Sequence, residues 1–407
     1  MKTVVYVEES ENALADALIK RKDIQLRLLR FTNCRSFSQK HLAATAHLPC
    51  FEIDKKQPFA KTCEEVRVFL QKTCSRVDVF YNDSEFNQIY VQEIARELGL
   101  KGALTEQQAQ LVRDKVGMKD FIRQIGLSCP DYLPLSSQDD IRICVEKWGY
   151  PFIVKWRSGV SSIEVYKVTS RENLDELGLN FAENRYMAEE YMPHKIWCLD
   201  ALVAKGNVVQ NLYTWLPYPN LDFAKEKRQF CQLAVGHPQE YWKFDAQAMT
   251  QRIVTALGVD NGYLHLEAFV SEDGGAKICE FAWRTPGDHM LQNFSHLYGC
   301  SVEDCLIDIL LELPFSGFPE SDCCTADVFL PVKTGTIRNI STLDSLRQSC
   351  DILDGEIRYH PGDWLSNRQS YTDSAGWLQV SAVGIDSVLE KVDTVYQNFV
   401  LEMEEDL

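Results

Sequence analysis

The sequence predicts an α/β protein of more than one domain, and three observations carry that reading. Strand and helix patterns alternate over the first hundred residues. Two strictly alternating segments near residues 262–284 read as a hairpin, and the last quarter of the chain is strand-rich. At 407 residues the chain exceeds one ordinary domain and fits two or three.

Thr3–Val7 is an apolar strand, and Ser10 reads as the cap of a helix that turns Leu14, Leu18 and Ile19 to one side. Val77–Tyr81 is a second strand. A helix from near Ser84 follows, with Ile89, Ile94 and Leu98 inward and Gly99 as its stop. Such alternation points to a small parallel sheet. No GxGxxG follows the first strand, which argues against a dinucleotide site there. One helix is expected over Glu106–Ile125 and another from Ser137 to Trp148. Tyr150–Lys155 is a strand that delivers a lysine to its end, followed by the polar loop Arg157–Ser162 and a return strand, Glu164–Val168. Strands Tyr186–Tyr191, Trp197–Ala204 and Val208–Trp215 come next. Residues 216–238, with Asp222, Lys225, Glu226, Lys227 and Arg228, suit a mobile loop. A helix over 239–257, the hairpin, and two helices lead into the strand-rich end, the second helix opened by Ser301 with Asp304 three residues on.

Composition narrows the function. A hydrophobic fraction of 45% and a charged fraction of 25% are those of a soluble globular protein. No apolar stretch reaches the ~20 residues of a membrane span, and the start lacks a signal-peptide pattern. The 14 cysteines show no CxxC and read as reduced core thiols, so a cytoplasmic location is expected. A net charge of −17 argues against a nucleic-acid partner.

The hairpin carries the chemistry. Asp273-Gly274 is a strong turn signal. A two-residue turn there sets Glu267 opposite Glu280, His265 opposite Ala282 and Tyr263 opposite Arg284, all on one face. Leu264, Leu266, Ala268, Cys279, Phe281 and Trp283 then fill the other. Two carboxylates facing each other across a ladder repel, so a cation is expected between them. Two carboxylates with phosphate oxygens suit Mg²⁺, with Mn²⁺ as a substitute. Lys155 enters a loop whose Ser158, Ser161 and Ser162 hydroxyls and backbone N–H groups suit phosphate. By itself a strand-end lysine is an ordinary solvated terminus.

Taken together and in this order, the segments resemble the ATP-grasp superfamily, specifically carboxylate–amine ligases that include bacterial L-amino acid ligases. The resemblance runs along nearly the whole chain and implies a division at 1–112, 113–315 (lid roughly 130–192) and 316–407. Asp83-Ser84-Glu85 and Leu98-Gly99-Leu100 are similar to the end of the N-terminal half-domain. Arg113-Asp114-Lys115 resembles the first ATP lysine and Lys155 the second. Glu189-Glu190-Tyr191-Met192 resembles the adenine hinge. His265-Leu266-Glu267 and Glu280 through Arg284 resemble the metal strands and the arginine that steadies the acyl phosphate. The resemblance therefore implies ATP and Mg²⁺ as cofactors, with Lys155 and Arg284 as catalytic groups, small carboxylates and amines as partners, and a homodimer as one assembly.

Departures are visible. Many relatives carry Asn where this chain has Ala282, and a ribose glutamate falls on Ile196. Relatives often read Arg-x-x-Gly-Gly where this chain has Arg284-Thr285-Pro286-Gly287-Asp288. Gly287 and Asp288 sit where related ligases line the amino-acid pocket. Asp288 reads either as the N-cap of the helix that follows or as a carboxylate for a substrate ammonium or guanidinium, with His265 as a further substrate residue. Competing functions are an ATP-grasp ligase of the purine-biosynthesis type and a nucleotide-binding scaffold without catalysis.

Overall fold

The parallel sheet forms because its strands are apolar on both faces and helices cover both. It orders β3-β2-β1-β4 from β1 (Lys2–Glu8), β2 (Ile24–Phe31), β3 (Cys50–Ile53) and β4 (Val79–Asn82). Its helices are α1 (Ala13–Lys20), α2 (Gln39–Thr45), α3 (Phe59–Thr73) and α4 (Gln88–Glu97). The α1 cap is Asn12, whose side chain accepts from Ala15 N, so Ser10 lies before the helix instead of capping it. The computed structural model describes all residues except 33–36, 161, 182, 219–228, 239–240, 367–372 and 405–407. Ser161 and the charged stretch Asp222 to Arg228 lie outside the described residues.

The single helix expected over 106–125 is two, α5 (Glu106–Leu111) and α6 (Lys115–Gln124). The Asp114 side chain accepts from Val116 N and starts α6 afresh. That break makes Lys115 the first residue of a helix. A four-stranded antiparallel sheet follows in the order β5-β8-β6-β7, from β5 (Tyr132–Leu135), β6 (Phe152–Trp156), β7 (Val165–Val168) and β8 (Tyr186–Glu190). Helices α7 (Gln138–Trp148) and α8 (Arg171–Glu176) cover it over a core of its own that contains Leu135, Phe152, Val154 and Ala188. Ser137 and Asp140 form the capping box of α7.

The largest sheet has eight strands in the order β13-β12-β9-β10-β11-β14-β18-β16. Its members are β9 (Lys195–Ala204), β10 (Asn207–Leu216), β11 (Phe230–Val235), β12 (Gly262–Val270), β13 (Ala276–Trp283), β14 (Cys323–Leu330), β16 (Asp354–Ile357) and β18 (Gly376–Val383). The strand β11 falls inside the stretch read from sequence as irregular. Three strands from the last quarter of the chain thus extend the sheet that holds the hairpin. A small sheet, β17-β15-β19, completes that quarter from β15 (Gly335–Ile340), β17 (Trp364–Leu365) and β19 (Leu401–Met403).

Helices α9 (Ala246–Leu257), α10 (Met290–Tyr298), α11 (Val302–Leu310), α12 (Leu343–Arg347) and α13 (Ile385–Asn398) flank these sheets. Leu14 and Leu18 of α1 join Leu306 and Ile307 of α11 and Leu202 and Tyr263 of the large sheet in one core. Each fully buried leucine there contributes ~1.5–3 kcal/mol, so the parallel sheet is fixed against the large one. Among the described residues, no helix is long and apolar enough to cross a membrane.

Candidate active site

Around the two glutamates the hairpin register is the one expected, reached by a different route. Glu267 pairs with Glu280 and His265 with Ala282. The loop, however, is Ser271–Gly275, closed by Ser271 N donating to Gly275 O at 3.0 Å, and Val270 pairs with Ala276. That displacement by one residue is cancelled by a bulge, because Ala268 pairs with Ile278 while Glu267 pairs with Glu280. The extra residue is Cys279. It lines the cavity beside Glu280 instead of filling the opposite face as expected. The ladder ends at Leu264 and Trp283, so Tyr263 and Arg284 do not face each other across it. The Tyr263 hydroxyl instead donates to Asp200 Oδ2 at 2.9 Å.

A cavity of ≈ 430 Å³ lies between the large sheet and the four-stranded antiparallel sheet. Lys115, Lys155, Ser162, Glu189, Glu190, Tyr191, Met192, His265, Glu267, Glu280, Arg284, Gly287 and Asp288 all line it. Residues far apart in sequence, from α6, strands β6 and β8, the hairpin and the turn before α10, therefore converge. Ser158 is exposed and outside this wall, and it is its carbonyl that serves, accepting from Arg113 Nη2 at 2.6 Å.

The charges interlock. Glu189, buried on β8, lies between Lys155 Nζ at 2.6 Å and Lys119 Nζ at 3.0 Å. Burial works against the Lys155 ammonium, but Glu189 and then Glu280 overcome it and raise its pKa above the ordinary lysine value. Burial opposes the Glu189 charge too, yet the two lysines hold its pKa below the usual carboxylate value. Lys115 Nζ donates to Gly159 O at 2.7 Å and stands 3.3 Å from Glu280 Oε2, with Lys155 at 3.9 Å. A side chain at Gly159 would stand 3.2 Å from Ile163 O, so glycine keeps this lysine acceptor within a tight turn. The cations expected beside the opposed glutamates are thus partly the protein's own lysines. On the other carboxylate, His265 Nε2 is 3.6 Å from Glu267 Oε1. Burial lowers the His265 pKa, but Asp200, 2.8 Å from Nδ1, and Glu267 drive it up to about 10.

Sequence reasoning missed what holds Arg284. Glu85, just past β4, accepts from Arg284 Nε at 2.6 Å and from Arg113 Nη1 at 2.9 Å. Asp83 accepts from Thr285 N at 2.8 Å and Thr285 Oγ1 at 2.6 Å. The Asp83-Ser84-Glu85 segment at the carboxyl end of a parallel strand was the available signal, and its position is where open α/β sheets place ligand residues. Lys119 was missed as well, although it lies one helical turn after Lys115 and so on the same face.

Burial opposes the Glu85 charge, but Arg284, Arg113 and Lys115 hold its pKa at about 2 against an ordinary 4.5. A depressed carboxylate adds stability that is whole above the unfolded value and fades as pH falls through the folded one. Glu85→Gln should therefore remove a stabilisation of ~3 kcal/mol at neutral pH and flatten the acid limb between pH 4.5 and about 2. Parallel pH–stability curves for the two proteins would contradict the pairing.

Three further placements differ from expectation. The Glu189 and Glu190 carboxylates are already engaged: Glu189 by two lysines, and Glu190 by Asp131 N at 2.9 Å and by Lys277. Asp288 is not a helix cap. The cap of α10 is His289, without a side-chain cap bond, and Asp288 sits before it at φ 54° as part of the cavity wall. Ile196 lines the cavity together with Leu216 and Phe269, so this stretch of the wall is apolar.

The residues fit a hard divalent cation. Glu267 and Glu280 are directly opposed and line the cavity, with side chains 22% and 28% exposed, and carboxylate oxygens are the donors Mg²⁺ prefers.

No protein-family model matches the chain. Over 315 residues it is 23% identical to the L-arginine-specific L-amino acid ligase of Bacillus subtilis, covering 73% of this chain and 74% of that protein. The L-amino acid ligase structure from Bacillus licheniformis superposes with a TM-score of 0.78 at 16% identity, covering 100% of this chain and 99% of the other. The carboxyaminoimidazole ribonucleotide synthase structure from Aspergillus clavatus, complexed with ATP, gives 0.71 at 17% identity over 98% of each chain.

Proposed function

We propose that this chain, an ATP-grasp ligase in its fold and its relatives, joins amino acids or similar small carboxylates and amines with release of ADP and phosphate. The observation that carries the reading is the convergence of opposed Glu267 and Glu280 with Lys115, Lys155 and Arg284 in one cavity. Lys115 and Lys155 approach from the α6 start and the lid strand, placed to meet a polyphosphate. Both now lean on Glu280, so an arriving phosphate exchanges one set of anionic partners for another at little cost in reorganisation. Glu267 and Glu280 would hold Mg²⁺, which supplies charge neutralisation between phosphate oxygens. A carboxylate oxygen attacks the γ-phosphorus, giving an acyl phosphate and ADP. The amine then adds to the acyl carbon, and phosphate leaves with its bridging oxygen as the amine sheds a proton.

Arg284 is positioned for the anionic intermediate. Its guanidinium is braced by Glu85, and its neighbour Thr285 is clamped by Asp83, so it is oriented before substrate arrives. Lys155 and Ser162 belong to the lid side, whose closure would exclude the water that hydrolyses acyl phosphates. Phosphate release across pairs of amino acids, with the product weighed by mass spectrometry, tests the reading. Release that needs both partners and yields a dipeptide supports it. Turnover only with a phosphorylated ribonucleotide as the amine would transfer the chain to the purine-type ligases, and none with any pair would favour a binding scaffold.

Asp288 is the residue on which substrate charge should depend. It borders the cavity four residues after Arg284, in a left-handed conformation that Asp and Asn both tolerate. Asp288→Asn should therefore keep stability while raising KM about tenfold, or ~1.4 kcal/mol, for a cationic amino acid, with KM for ATP unchanged. Equal KM values for cationic and neutral substrates in both proteins would remove Asp288 from recognition.

A further inference from the structure

The cavity wall holds a second set of donors of a different chemical character. Cys198 on β9 pairs directly with Glu267 on β12, and His265 lies two residues before Glu267 on the same face. Cys198 Sγ, one imidazole nitrogen and a Glu267 oxygen all lie within 4.8 Å of one another. Because Asp200 occupies His265 Nδ1 at 2.8 Å, it is Nε2 that turns to Glu267, at 3.6 Å from Oε1. Asp200 is itself fully buried and also accepts from Leu266 N at 3.1 Å and the Tyr263 hydroxyl at 2.9 Å, so the imidazole is held at a fixed angle.

We propose that Cys198, His265 and Glu267 form a site for a soft divalent cation of the Zn²⁺ class. Thiolate, imidazole and carboxylate are the usual ligands of Zn²⁺, with three protein ligands and an open fourth position as in accessible sites. Ligands around such an ion stand about 3–4 Å apart, so the donors need approach by no more than ~1 Å. A carboxylate behind the metal-binding histidine is the customary brace of these sites. Binding uses the Cys198 thiolate, whose proton passes to solvent, and the Nε2 lone pair of His265. The hard pair Glu267–Glu280 offers oxygen alone, whereas the new site adds sulfur and nitrogen and so discriminates by softness. Glu267 is common to both, so the two ions compete for its carboxylate. The consequence for turnover rests on the ligase reading: Zn²⁺ inhibits by withdrawing Glu267 from the Mg²⁺ pair. Binding itself does not depend on that reading.

The test uses the full chain without nucleotide, titrated with Zn²⁺ against a chromogenic chelator and, separately, with Co²⁺ followed by absorption. The wild type should bind one Zn²⁺ in this cavity, and its Co²⁺ form should show thiolate-to-metal charge transfer in the near ultraviolet. Cys198→Ser should weaken Zn²⁺ at least about 100-fold and abolish the charge-transfer band. Cys279→Ser should retain both, because Cys279 lines the cavity but lies outside the donor cluster. Should Cys198→Ser fail to fold, His265→Gln serves in its place, with weakened Zn²⁺ and an altered visible Co²⁺ spectrum. Zn²⁺ affinity untouched by Cys198→Ser, absence of the thiolate band in the wild type, or equal losses from Cys198→Ser and Cys279→Ser would each overturn the site. Tight Zn²⁺ binding in a protein with no turnover on any substrate would leave the site standing and remove the ligase reading.

Discussion

Glu280→Gln should reduce MgATP-dependent turnover by about 10³-fold or more, equivalent to ~4 kcal/mol of lost transition-state stabilisation. The amide keeps the shape of the side chain but cannot act as the second anionic ligand opposite Glu267. Repulsion between the paired glutamates suggests from sequence that neutralising one relieves strain in the unliganded protein. The structure reverses that sign, since Glu280 Oε2 faces Lys115 at 3.3 Å and Lys155 at 3.9 Å. The variant should accordingly be slightly less stable. The loss stays within ~1 kcal/mol, because the Glu280 side chain is 28% exposed and both lysines keep another acceptor. Phosphate release and thermal melting together check this. Turnover within tenfold of wild type, with Mg²⁺ still required, would sink the metal assignment.

Glu189→Gln should be the costliest single substitution for stability among the site residues, at about 3–5 kcal/mol. Glu189 is the shared anion of Lys119 and Lys155, which are 0% and 4% exposed. Without its charge two ammonium groups remain in the interior, and among the described residues Lys119 is left with neutral acceptors such as the Cys279 carbonyl at 3.1 Å. The double variant Glu189→Gln with Lys119→Met should recover part of the loss, because the cation that needed the charge is gone. A Glu189→Gln protein within ~1 kcal/mol of wild type would mean that solvent reaches these lysines, and the buried triad would have to be abandoned.

Local pattern made the hairpin legible, but for a reason only partly right. Alternation placed Glu267 and Glu280 on one face, and Asp273-Gly274 located the reversal. Loop length and bulge position are tertiary matters, and two one-residue displacements of opposite sense left the register at the glutamates unchanged. The parallel sheet and the strands of the four-stranded antiparallel sheet were similarly visible from period and punctuation. The strand β11 was hidden because the flanking charged residues dominate its window, while its six buried positions are decided by pairing with β10 and β14. The break at Asp114 was missed because the apolar period continues through it. What could not be read was which carboxylate meets which cation. Glu85 and Arg284 are 199 residues apart, and only the docking of the parallel sheet on the large one brings them together. The cap expected at Asp288 failed for a local reason, its φ of 54°, which places the carboxylate outside the helix start.

The acyl-phosphate route can be followed by oxygen. With the substrate carboxylate labelled by oxygen-18, one labelled oxygen bridges carbon and phosphorus in the intermediate and departs with phosphorus when the amine attacks. Mass spectrometry after complete turnover should find a single labelled oxygen in inorganic phosphate, with unlabelled ADP as the nucleotide product. Label appearing in AMP, with unlabelled pyrophosphate beside it, would show attack at the α-phosphorus and contradict the assignment of Lys115, Lys155 and the Glu267–Glu280 pair to transfer of the γ-phosphoryl group.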